Sequence, residues 1–192
     1  MVAVGLVDSK AIWYLMRSSG VVTLALLTGV MVLGIATANR SRLGRAPRFV
    51  TAGVHRSIAL LAVVFVGIHV VTAVVDPYAM VGVVSVFVPF AGASNALWVG
   101  LGALSLDVVV ALIISSLLRH RFRPRLWRGI HWLAYLSWPV AFAHSLGMGS
   151  DASALWLRAV AGGCAAAVVA AVLWRLKRLE PQPVPVSLEV PA

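Results

Sequence analysis

Four of the five histidines in this chain sit inside stretches that are otherwise almost wholly apolar. His55 and His69 lie fourteen positions apart in one stretch, and His131 and His144 lie thirteen apart in another. Imidazole ionises near neutral pH and offers one ring nitrogen to a metal while the other holds a proton. Inside a membrane such a group is costly and marks a functional place by default. His55 is seven residues past Arg48 and His131 six past Arg125, so both lie near the same basic face. His69 is seven residues before Asp76, and His144 seven before Asp151. At about 1.5 Å per helical residue the two levels are about 20 Å apart. Two facing helices therefore offer one histidine pair at each level, the arrangement that axial ligation of two stacked haems requires. Zinc or copper fits less well, because each level supplies two histidines with no nearby carboxylate or thiolate.

The azimuths are unequal. Fourteen residues leave His55 and His69 within about 40° of each other on a straight helix, whereas thirteen set His131 and His144 about 140° apart. Pro139 stands between the latter two. A proline kink or π-bulge would re-phase the downstream half, so a non-ideal helix is expected near Trp138–Pro139.

The elements that must hold these residues are membrane spans. The 192 residues are 61% hydrophobic and 11% charged, far below the roughly 25% charged share of a soluble domain. Apolar runs near the roughly 20 residues needed to cross a bilayer exclude a soluble fold. The expected architecture is all-α, a polytopic bundle of about five transmembrane helices, with spans near 11–38, 49–75, 96–118, 126–146 and 154–176. The segment Tyr78–Asn95 is broken by Gly82, Pro89 and Gly92 and reads as a loop with a short interfacial or re-entrant piece, a sixth crossing staying open. Residues 1–178 form the haem-binding membrane domain; 179–192, with four prolines, read as a disordered cytoplasmic tail.

Net charge is +10, but the basic residues gather in three clusters flanking apolar runs, at Asn39–Arg48, Arg119–Arg128 and Trp174–Arg178. That is the positive-inside pattern of a multi-pass plasma-membrane protein, with the N-terminus outside and the C-terminus cytoplasmic. No segment is long enough to form a folded basic surface for nucleic acid. Met1–Lys10 lacks a basic n-region and contains Asp8, so a cleaved signal peptide is not expected. Cys164 is the only cysteine, which excludes disulfides, iron–sulfur clusters and covalent c-type haem attachment.

Cations near the haem levels are candidates for propionate partners: Arg17 inside the outer end of the first span, Arg56 beside His55, and Arg128 one turn before His131. Arg56 and Arg128 read equally well as positive-inside anchors. Asp107, the deepest carboxylate, is neutral, paired or part of a proton route. Phe65 and Trp138 lie between the levels and serve either inter-haem packing or the core. His120 sits among arginines and is read as solvated.

The pairs His55-x13-His69 and His131-x12-His144 on co-oriented helices resemble the ferric reductase-like transmembrane domain family, which includes ferric reductases, NADPH oxidases and the haem subunit serving periplasmic methionine sulfoxide reductase. Trp13-Tyr14-Leu15 through Arg17-x-Ser19-Gly20, and His131-Trp132-Leu133-Ala134-Tyr135, look like bacterial members. The resemblance spans about residues 12–177. It implies two non-covalent b-type haems, the inner on His55 and His131, the outer on His69 and His144. Electrons would then cross the membrane to an extracytoplasmic acceptor. Larger members add a cytoplasmic FAD and NAD(P)H domain. Here no Gly-rich dinucleotide fingerprint occurs, so the chain is expected to be an oxidoreductase component. Its donor would be a separate flavoprotein carrying FMN or FAD, or a quinol. Two other readings stay open: a haemless scaffold subunit with structural histidines, and a proton-coupled transporter using Asp107 and the histidines as a relay.

Overall fold

The computed structural model describes residues 9–39, 47–91, 95–148 and 154–179. The arginine-rich residues 40–46 and the expected tail from 180 onward lie outside them. Among the described residues every regular element is helical: α1 (Ser9–Ala38), α2 (Arg48–Val75), α3 (Val83–Phe87), α4 (Ala96–Leu117), a 3-10 turn (Arg119–Arg121), α5 (Pro124–His131), α6 (Ala134–Gly147) and α7 (Leu155–Leu179).

Four helices are long and apolar enough to cross a membrane: Lys10–Ala38, Phe49–Val75, Ala96–Leu117 and Leu155–Arg178. They are apolar on nearly every side, as lipid requires, and large side chains such as Phe49, Leu117 and Leu155 stand exposed on them. The stretch expected as another span, 126–146, is two helices, α5 and α6. Tyr78–Asn95 holds the five-residue α3, far too short to cross, and α3 packs on α4.

Water does not drive helices together in lipid, so close backbone approach and polar contacts do. Two antiparallel pairs result, α1 with α2 and α4 with α6. Position 16 of α1 faces 69 of α2 and position 30 faces 55; position 98 of α4 faces 144 of α6 and 105 faces 137. α1 also packs against α6 and α7. There Leu24, Met31, Ile35, Trp138, Cys164, Val168 and Ala171 form the buried core. Trp138 donates from Nε1 to Thr28 Oγ1 (2.9 Å) and stacks on Phe142, so it belongs to this core.

The helix interruption corrects the sequence reading in place and in kind. Pro139 lies within a continuous α6. The irregularity is at Trp132–Leu133: the Trp132 amide is shared between Arg128 (3.0 Å) and Gly129 (3.2 Å), and three further amides bond three residues back, Leu133 to Ile130 (3.0 Å), Tyr135 to Trp132 (3.0 Å) and Leu136 to Leu133 (2.9 Å). Four-residue spacing resumes with Ser137 to Leu133 (3.0 Å). A 3-10 turn advances about 120° and 2.0 Å per residue, against about 100° and 1.5 Å in an α-helix. Each residue so tightened adds about 20°, which works against the roughly 140° offset of His131 and His144. Each also adds about 0.5 Å of rise. Overwinding makes up for the missing residue; a π-bulge would have turned the helix the other way.

Candidate functional site

Three of the four histidines are held in one way. His69 Nδ1 bonds the carbonyl of Met16 (2.9 Å), His55 Nδ1 that of Val30 (3.1 Å), and His144 Nδ1 that of Trp98 (2.7 Å). Four residues after each acceptor comes a glycine: Gly20, Gly34 and Gly102. In a helix the carbonyl of residue i already accepts from the amide of i+4. Its second lone pair is free, but a side chain at i+4 would cover it. A Cβ on Gly102 would lie 2.7 Å from the His144 ring, one on Gly20 3.0 Å from His69, and one on Gly34 3.4 Å from His55. Each glycine is therefore a notch that admits an imidazole edge to a carbonyl. Since a carbonyl only accepts, Nδ1 carries the proton and Nε2 is left with its lone pair, the tautomer a metal-ligating histidine needs.

His69 and His144 face each other across the gap between the two helix pairs, ring centroids 6.3 Å apart and planes at 75°. With nitrogen–metal bonds of about 2.0 Å and about 1.1 Å from nitrogen to ring centre, two imidazoles flanking one metal would have centroids about 6.2 Å apart, close to this spacing. They line a cavity of about 410 Å³ with Arg17, Gly20 and Gly102, within the size range of cofactor pockets. Tyr78, Val81, Ser85 and Val86, leading into and along α3, close one side of it. Arg17 also lies 4.3 Å from the Trp13 ring centre.

At the other level His55 docks on α1, and His131 is the last residue of α5. His131 stacks on Trp127, centroids 5.0 Å apart, and Arg119 lies over the far ring. His131 has no glycine notch; its Nδ1 is buried without a hydrogen-bond partner. Arg56 and Arg128 are exposed, and Arg128 Nε donates to the Pro124 carbonyl (3.1 Å). Asp107 is exposed on α4 and does not line the histidine cavity. Among the described residues no group of three or more His, Cys, Asp or Glu side chains exists to hold a metal alone. Paired imidazoles instead suit a metal that brings its remaining ligands in a macrocycle.

A description of the ferric reductase like transmembrane component matches residues 19–142, well over half of the chain. The chain belongs to the ferric reductase-like transmembrane family. The family match contains His55, His69 and His131; Arg17, His144 and α7 lie beyond it. No curated protein and no solved structure is matched. Membership in this ferric reductase-like family points to electron transfer through the membrane, and the chain is a multi-pass membrane protein that contacts the bilayer.

The glycine notches were missed in the sequence, although a signal exists. Gly20 and Gly34 are fourteen apart, the same interval as the histidines they receive.

Proposed function

We propose that this ferric reductase-like chain is the membrane segment of an electron-transfer oxidoreductase holding two b-type haems, one between His55 and His131 and one between His69 and His144. The observation that carries the reading is the repeated docking of imidazole Nδ1 onto a carbonyl behind a glycine, which presents Nε2 as a ligand. Satisfied core histidines would need a hydrogen bond, but not a tautomer shared by His55, His69 and His144 or the facing rings of His69 and His144. Haem iron with two imidazole ligands supplies a one-electron couple and leaves no open position for substrate. Arg17, which lines the cavity of His69 and His144, would neutralise a propionate of the outer haem, and Arg56 and Arg128 would serve the inner one.

The arginine-flanked end is the cytoplasmic face of a plasma-membrane protein. Electrons enter there from a flavoprotein or quinol outside these residues and leave at the His69–His144 level to an extracytoplasmic acceptor. The seclusion of Asp107 from the histidine cavity counts against a proton relay through both.

Purified protein, expressed with haem supplied, is expected to show a b-type α-band in a reduced-minus-oxidised absorption spectrum. Its absence ends the proposal. His69→Ala is expected to remove the outer haem and His55→Ala the inner, each halving the haem per chain. Loss of both from either substitution breaks the layered assignment.

A further inference from the structure

Arg175 lies in α7, beyond the segment matched to the family. Its guanidinium donates to the Tyr135 hydroxyl and stands 5.0 Å from the ring centre of Trp132 and 5.5 Å from that of Tyr135. These two aromatics are the first and fourth residues of the tightened turn, joined by the Tyr135 amide bond to the Trp132 carbonyl. In a 3-10 turn, side chains at i and i+3 eclipse, whereas in an α-helix they diverge by about 60°. Here the rings are 5.2 Å apart and tilted by 34°, close enough for one planar cation to engage both. The cluster therefore braces the turn in its 3-10 form, where the two side chains stand closest to eclipsed.

We infer that Arg175 is a positioning residue for the inner haem: by bridging Trp132 and Tyr135 it holds the overwound turn that aims His131 at His55. The inference rests on the haem reading above. His131 depends on this support more than the other ligands do, because its ring finds no carbonyl. If the turn relaxes to α-helix, His131 swings relative to His144 by about 20°, and the rise between them shortens by about 0.5 Å, for each residue released. Arginine is needed for its planar fork, which bonds the phenol while lying over the rings; lysine has the charge without the plane.

The test uses the full-length chain with Arg175→Gln, Arg175→Lys and Tyr135→Phe, the last removing a single hydroxyl so that folding is preserved. Haem content and low-temperature electron paramagnetic resonance of the oxidised protein are compared with His131→Ala and His144→Ala references. In Arg175→Gln the inner-haem signal is expected to fall at least severalfold, with the outer-haem signal retained. Tyr135→Phe and Arg175→Lys should shift the inner signal part of the way. Equal loss of both signals, or an unchanged inner signal in all three variants, overturns the inference. A second readout is independent of haem. Nitroxides at Arg128→Cys and Leu146→Cys, in a Cys164→Ala background, report the α5–α6 distance by pulsed dipolar spectroscopy. Arg175→Gln should displace and broaden that distribution, and an unchanged one overturns the clamp. Should the parent protein bind no haem, the functional proposal fails and this distance alone decides whether Arg175 holds the turn.

Discussion

Gly102→Ala is expected to release the outer haem while the inner one stays bound. A Cβ there meets the His144 ring at 2.7 Å, well inside van der Waals contact, and the obstacle is an imidazole pinned by its own bond to Trp98. The ring must withdraw, which costs about 1–3 kcal/mol in overpacking and a further 0.5–1.5 kcal/mol or so in the lost hydrogen bond. Together that is roughly a tenfold to thousandfold loss in affinity at this level. Gly20→Ala, with contacts of 3.0 and 3.1 Å to His69, should act in the same direction more weakly. Gly34→Ala, at 3.4 Å from His55, should leave the inner haem nearly intact. Haem per chain, with redox titration to separate the two centres, gives the ranking. A full haem complement in Gly102→Ala would falsify the notch as the device that holds His144.

The second large effect concerns length. One alanine inserted after Val63 would lengthen the interval between His55 and His69 to fifteen residues. That turns one ring away from α1 by about 100° and carries it about 1.5 Å along the axis. Because both rings dock on fixed carbonyls of the same helix, at least one haem should be lost. One alanine inserted after Leu133 should behave in the opposite way. It brings His131 and His144 to fourteen residues, which an unbroken α-helix sets about 40° and 21 Å apart without overwinding. Haem binding should survive there, and in that background Arg175→Gln should become harmless. Haem stoichiometry of the two insertion variants, and of the second combined with Arg175→Gln, decides the matter; the reverse pattern, with α2 tolerant and α5–α6 intolerant, rules out overwinding as compensation for the missing residue.

Much of the site was legible because its determinants are local. Apolar length shows the spans, and the offsets of His55, His69, His131 and His144 from the polar borders show two levels. What sequence could not show was how the odd interval is reconciled. Pro139 draws attention because proline is a known helix disruptor, yet α6 runs through it, with the ring exposed. The turn that does the re-phasing carries neither proline nor glycine at Trp132 and Leu133. Its clamp, Arg175, is forty residues from Tyr135, so no local pattern announces it. The glycines were hidden for another reason: in membrane helices glycine is common at any packed interface, and only the carbonyl four residues earlier distinguishes a notch from ordinary close packing.

The docking of His55 and His69 on α1 alone also bears on how the protein is made. Chains emerge N-terminus first, so the α1–α2 hairpin is complete before any of the opposing helices exist. It already contains both Met16 and Val30 acceptors, both notches and two imidazoles in one tautomer. The newborn hairpin is therefore a ruler with two oriented half-sites, and α5 and α6, arriving later as separate pieces joined by a tight turn, are the part that adjusts to it.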